Sequence, residues 1–397
     1  MKKFTIYLII GFLPLLAMGQ VEKQSGNESL LIPDSLKSII PIAKQSLLKD
    51  VDVIFNTRMA YESYFMDGDH TNSHFNMNQL RFEVKGKIHE KVYFRFRNRH
   101  TREPIPGNLD NISRSVDLAF LRVDIAPRTN ITFGKLCADW GGYEFDYNPI
   151  DILAYNDIIE YADNFLMGAG IAHTLEGNKH TFSFQVLNSR TKTYEEQYGA
   201  SAPPDLEPSE YALAAVINWR GSFFDGKFET TYSYSFFNEA KGAGMGYFVL
   251  GNKFKTKKFA LHYDFQYDDE GLDRLGIVTG IIDSQYQYAA KDALYIENWV
   301  RAEYLLSPKF NLLLSVMNSN HYWKDNPDPN ANDRLSTSYG LIPEIQYMPF
   351  SDINLKFYLG YVARKYDYTS YATSAFGAND YTTGQLSFGI VAPLLVL

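Results

Sequence analysis

The sequence predicts an all-β protein, a transmembrane antiparallel β-barrel of about sixteen strands that follows a cleaved signal peptide. Three observations carry that expectation. A positively charged N-terminus runs into a short apolar stretch that closes on small residues. From Val51 onward, apolar residues recur at every second position. The alternating runs span about 10 to 14 residues, where strands of globular proteins average roughly 5 to 6.

The elements follow in order. Lys2 and Lys3 precede an apolar run over 4–16 broken only by Thr5, Gly11 and Pro14, and Ala17-Met18-Gly19 supplies the small residues of a cleavage site. The run falls short of the roughly 20 residues a permanent helical span needs, so 1–19 reads as a secretory signal. Residues 20–49 are polar, then loosely helical, with Leu36, Ile39, Ile40 and Leu47 on one side. They read as a periplasmic N-terminal segment. The barrel is expected over 50–397. Phe228, Thr230, Tyr232, Tyr234 and Phe236 alternate with Lys227, Glu229, Thr231, Ser233 and Ser235, and several other runs repeat the pattern. Alternation gives each strand one lipid-compatible face and one polar face. About 9 to 11 tilted residues cross a bilayer core, so the run length suits a membrane wall better than a soluble sandwich.

Connections alternate as well. Short turns fall at 87–90, 127–130, 176–179, 221–226, 253–257, 307–309 and 349–352. Longer joins fall at 66–74, 101–114, 137–165, 190–208, 238–244, 268–292, 322–335 and 367–380. Short turns on the periplasmic rim and long loops outside is the outer-membrane arrangement, and it places both termini in the periplasm. The count requires 268–292 to be a loop, although residues 275–282 are apolar enough to pass for a strand. Sixteen strands enclose an aqueous lumen, whereas eight would be packed shut.

Composition narrows the function. The chain carries 29 Tyr and 28 Phe, which suits sheets and interfacial aromatic girdles. A net charge of −8, becoming −10 when Lys2 and Lys3 leave, argues against a nucleic-acid partner. Cys137 is the single cysteine, which excludes an internal disulfide framework. The eight His are scattered, and HExxH, GxSxG and a phosphate-binding glycine loop are all missing from the sequence. His262 and Asp264 share a strand face, a common accident of alternation. No cofactor is expected. The reading is a non-enzymatic channel for small hydrophilic solutes in contact with outer-membrane lipid and lipopolysaccharide. A barrel-borne enzyme or adhesin is the alternative from another class.

Two regions could select solutes. Arg95, Arg97 and Arg99 lie on one face of a strand, opposite Val92, Phe94 and Phe96. Arg81, Lys85 and Lys87 lie opposite Phe82, Val84 and Ile88; Arg58 and Arg122 fall on polar faces, and Lys135 stands near the end of the strand at 130–136. A guanidinium row in a wet lumen attracts anions and passes them between adjacent weak sites. The same bases could instead pair with Glu62, Glu83 and Asp124 as wall-packing salt bridges. The second region is the loop at 137–165, which carries Asp139, Glu144, Asp146, Asp151, Asp157, Glu160 and Asp163 with no Lys or Arg. Folded inward, it would narrow the pore and set a transverse field against the basic wall. Folded outward, it would be an acidic surface loop that binds calcium or bridges lipopolysaccharide. A sugar-type or non-selective channel remains open on this pattern.

The Arg-bearing early hairpins, and Ile131-Thr132-Phe133-Gly134-Lys135 followed by a Gly- and aromatic-rich loop, resemble the phosphate-selective porin O and P family in its Bacteroidetes-type form. The resemblance covers roughly 50–397. It implies a sixteen-stranded, homotrimeric outer-membrane channel for phosphate and other anions, with basic residues along the pore. The acidic 137–165 loop and the terminal Leu397 depart from that pattern.

Overall fold

The computed structural model describes residues 50–105, 109–328 and 331–396. The expected signal peptide and periplasmic segment lie outside them. The described residues form sixteen strands: β1 (Val51–Met66), β2 (Asp69–His89), β3 (Val92–Arg99), β4 (Val116–Ala126), β5 (Thr129–Cys137), β6 (Phe165–Thr174), β7 (His180–Asn188) and β8 (Leu213–Phe223). The second half comprises β9 (Phe228–Ala240), β10 (Ala243–Lys255), β11 (Phe259–Leu272), β12 (Lys291–Ser307), β13 (Phe310–Trp323), β14 (Arg334–Tyr347), β15 (Lys356–Tyr368) and β16 (Tyr381–Leu395). Each strand pairs with its chain neighbours, and β16 returns to β1, so the sheet closes. The seam is antiparallel and in register from Ile54↔Leu395 to Met66↔Thr383.

Directly paired residues share a face of the sheet. The register therefore sorts each strand into two sets. Leu121, Phe133, Ile171, Phe184, Ile217, Tyr234, Leu314, Leu359 and Phe388 are exposed on the outside as an apolar belt. Asn218, Thr231, Ser233, Ser235 and Gln266 point inward and are buried. A sheet so divided needs lipid outside and polar partners within.

Two expected long joins are tight turns. Asp67-Gly68 joins β1 to β2 with φ of 51° and 89°, and Gly242, at φ 77°, follows Lys241 between β9 and β10. Both central residues of the first turn lie in the left-handed region that suits a two-residue hairpin. The flanking stretches, rich in Asn, Ser and His, are strand all the same. They rise beyond the bilayer, where the outer face no longer has to be apolar. The join between β11 and β12 is a loop, and its apolar stretch is helix α4 (Ile277–Ile282).

The hydrophobic core lies inside the barrel. The loop between β5 and β6 enters the lumen and packs on the inner wall. Trp140 is 1% exposed and meets Tyr247 edge-on at 5.4 Å between ring centres, with Phe237 at 5.9 Å. Tyr143, Tyr147 and Ile152 form a second cluster with Trp299, Met317, Ile342 and Val362 of the wall.

Candidate pore constriction

The β5–β6 loop builds the constriction. It turns at Gly141 and Gly142, both left-handed at φ 74° and 79°. It then forms α1 (Tyr143–Asp146), a short 3-10 turn over Pro149–Asp151 and α2 (Asp157–Tyr161). The 3-10 turn is capped by Asn148, whose side chain accepts from Ile150 N. Helices this short leave most of their end N–H groups without internal partners. Here the wall and the loop itself supply acceptors. Asp264 accepts from Glu144 N at 2.7 Å, Glu297 accepts from Ile158 N at 2.9 Å, and Glu144 accepts from Asn156 N at 2.6 Å.

Most loop carboxylates are spent against the far wall. Asp151 pairs with Lys356 at 2.5 Å. Asp157 takes Arg364 at 2.5 Å, His321 at 3.1 Å and the Ser338 hydroxyl at 2.5 Å. Asp139 and Asp146 share Arg220, at 2.7 Å and 2.5 Å. Asp163 accepts from Thr191 N at 2.7 Å and from its hydroxyl at 2.6 Å. Tyr147 donates to Glu303 at 2.6 Å beside His262. Breaking a buried pair of this kind leaves one charge uncompensated, at a cost of about 3–5 kcal/mol. These contacts hold the loop to the inner face of β8–β15 and leave the opposite side open.

That open side is a cavity of about 970 Å³. Its wall is the β2–β3 hairpin. Register places Arg81 opposite Arg99, Lys85 opposite Arg95, and Glu83 opposite Arg97. Like charges placed directly across a sheet are destabilising, so two such pairs side by side are not a stability device. Glu83 pairs with Arg95 at 2.9 Å. Asp117 of β4 lies within ion-pair reach of Arg99, Arg97 and Arg81, at 2.9, 3.3 and 3.5 Å. Five cations on this wall thus meet two carboxylates from β2 and β4, and Asp52 of β1, opposite Lys85, adds a third.

The expected residues fall into distinct places. Arg81, Lys85, Arg95, Arg97 and Arg99 line the cavity. Arg58 points into the lumen but is an anchor, donating to the carbonyl of Ile152. Arg122 is also inward, near the periplasmic rim, 4.7 Å over the Tyr93 ring and 3.9 Å from Asp124. Lys135 departs from the row. It pairs with Ala119 and Met167 on the face that carries Phe133, and Asp110 holds its ammonium at 2.7 Å. Gly134 and Leu136 take the inward positions of β5, which leaves Lys135 outside and dependent on a buried counter-charge. Asp139 and Asp146 line the cavity, already engaged by Arg220; Glu144, Asp151 and Asp157 are buried behind the loop. The transverse field expected from seven facing carboxylates is therefore largely cancelled at its source. Glu62, expected as a partner for the bases, binds Asn76, Asn78, Gln385 and Ser387 instead.

Asp52, Arg102 and Arg220 line the cavity without having been singled out by sequence, and Asp117, the buried partner of its arginines, also escapes the sequence reading. Arg220 sits on an alternating polar face and was readable. Asp117 was not, because β4 slips by one residue there, pairing Leu118 with Arg97 but Val116 with Asn98.

The sequence profile of the phosphate-selective porin O and P family matches residues 54–390. No curated protein matches the sequence. Among solved structures, the outer membrane channel DcaP of Acinetobacter baumannii superposes with a TM-score of 0.59 at 10% identity, covering 89% of this chain and 100% of its own. An anion-selective porin from Comamonas acidovorans gives 0.55 at 11% identity, with 87% and 99% covered. OmpT of Vibrio cholerae gives 0.52 at 11%, with 89% and 100% covered. At such identities the likeness is one of fold. The profile spans most of the chain, and the closed sheet superposes on these channels: the protein belongs to the phosphate-selective porin O and P family and is a porin of the outer membrane.

Proposed function

We propose that this porin passes small hydrophilic solutes with a preference for anions, phosphate-like oxyanions among them. The observation that carries the reading is the like-charged pairing of Arg81 with Arg99 and of Lys85 with Arg95 on the free side of the lumen. Four acids of the facing loop, Asp139, Asp146, Asp151 and Asp157, are paired with Arg220, Lys356 and Arg364, which reduces what they subtract from this surface. Successive inward residues on a strand stand about 6.6 Å apart, so Arg95, Arg97 and Arg99 offer closely spaced, partly occupied sites. An anion can move between such sites without being trapped. A homotrimer embedded in lipid and lipopolysaccharide is the assembly that family membership suggests.

The test is the reversal potential of the purified protein in a planar bilayer under a salt gradient. Anion preference is expected, with chloride current reduced by added phosphate. A clear cation preference overturns the proposal. Block by neutral oligosaccharide without block by phosphate would favour a sugar-type channel, for which Tyr93, Tyr155 and Glu160 along the cavity would serve as stacking and hydroxyl-binding groups.

A further inference from the structure

Resting on the anion-preferring reading, we propose that Asp117 sets how tightly the arginine wall holds a permeating oxyanion, its carboxylate acting as a tethered surrogate for that anion. Strict alternation along β4 would turn Asp117 toward lipid, on the face of Ala119. The single-residue slip between the Arg97↔Leu118 and Asn98↔Val116 pairs is a β-bulge, which delivers the carboxylate to the lumenal side. There its side chain is 0% exposed, with three guanidiniums within 3.5 Å. Only Arg99 bonds it well, at 2.9 Å and 3.4 Å. Arg97 Nε and Arg81 Nη1, both buried, face Asp117 Oδ2 at 3.3 and 3.5 Å without forming a hydrogen bond.

The cluster therefore holds more donors than one carboxylate can satisfy. The cavity-facing N–H groups of Arg97 and Arg99 suit the oxygens of a second oxyanion, since planar forks match carboxylate and phosphate geometry. A bare trio of guanidiniums would hold a polyvalent anion too firmly for transport, because conduction needs sites weak enough to leave. Asp117 lowers the excess charge by one and occupies the best donors of Arg99, which weakens the site while keeping the guanidiniums oriented. It is a specificity-determining and positioning residue for passage.

The experiment compares wild type, Asp117→Asn, Asp117→Glu and Glu83→Gln in planar bilayers, titrating inorganic phosphate against chloride current. Barrel closure is checked beforehand by heat-modifiable electrophoretic mobility. Should the Asn variant not close, Asp117→Ser takes its place. Asp117→Asn should lower the half-blocking phosphate concentration by on the order of tenfold, with a smaller maximal anion current. Asp117→Glu should restore both. Glu83→Gln, the same change in charge at a carboxylate whose salt bridge is to Arg95 and which makes none to Arg81 or Arg99, should shift block far less. A half-blocking concentration within about twofold of wild type, a rise in it, or a shift equal to that of Glu83→Gln overturns the proposal. Loss of the underlying reading is distinguishable, because wild type itself would then lack anion preference and phosphate block.

Discussion

Glu144 has no ion-pair partner among the described residues, yet it is 0% exposed. Burial pushes its carboxyl up to about 8, helped by the nearby charge of Asp264 and opposed by the hydrogen bonds from Asn156 N and Gln266. The docked loop therefore keeps a proton that a released loop, at the ordinary value of 4.5, would give up. Its contribution to docking is full below 4.5 and is lost as pH rises through 8. Asp157 works with the opposite sign. Burial pushes it up, but the His321 hydrogen bond and the Arg364 charge outweigh that and hold it well below the usual carboxylate range. Its contribution is full above that range and lost only as pH falls through the depressed value. Single-channel conductance should therefore rise and become noisier as pH is raised from about 5 to 8, and Glu144→Gln should flatten the dependence; an identical profile in the variant would refute the assignment. At this scale the sequence was half legible. The Arg95, Arg97, Arg99 row follows from period two alone, whereas the inward turn of Asp117 and the outward position of Lys135 depend on a slip in β4 and on strand phase.

The constriction loop meets β10 glycine to glycine, where neither surface carries a side chain. A Cβ on Gly251 of β10 would stand 2.8 Å from Gly142 Cα, 2.9 Å from Asp264 Oδ1 and 2.9 Å from Thr231 Cγ2. Gly251→Val therefore forces loop and strand apart, at a cost of about 1–3 kcal/mol in docking. The expected outcome is a closed barrel with larger conductance and weaker anion preference, read from single-channel traces. Unchanged conductance would show that the loop yields without leaving the wall. The loop's length and charge were visible in the sequence. Its direction was not, since that depends on the acceptors Asp264 and Glu297 and the donor Ser338, which lie on strands more than a hundred residues away. Strand ends above the bilayer were hidden for a related reason: once lipid no longer imposes alternation, Asn72, Ser73 and His74 read as loop although they are strand.

Across the whole molecule the wall is uneven. β3, β5 and β7 have 8, 9 and 9 residues, against 21 in β2 and 17 in β12. Nine residues at roughly 3.3 Å each, tilted by about 40°, reach only about 23 Å, short of the ~25 Å apolar band that lipid requires. A wall too low for the bilayer is relieved by oligomerisation. The β3–β7 side should therefore carry the subunit contact. In mild detergent the protein should have the mass of three chains, and Phe133→Lys or Ile171→Lys on this low wall should release monomers. The same substitution at Leu314, on the tall side, should leave the assembly intact. A monomeric wild type would refute the trimer.

The seam between the first and last strands also means that the polypeptide, though linear, is wound as a loop without a privileged origin. Val396 N reaches Val53 O at 2.8 Å, so the start of β1 and the end of β16 meet at one rim. Which hairpin comes first is thus a matter of gene order. A circular permutant cut at Lys241-Gly242, with the old ends spliced, would retain every neighbour relation in the sheet.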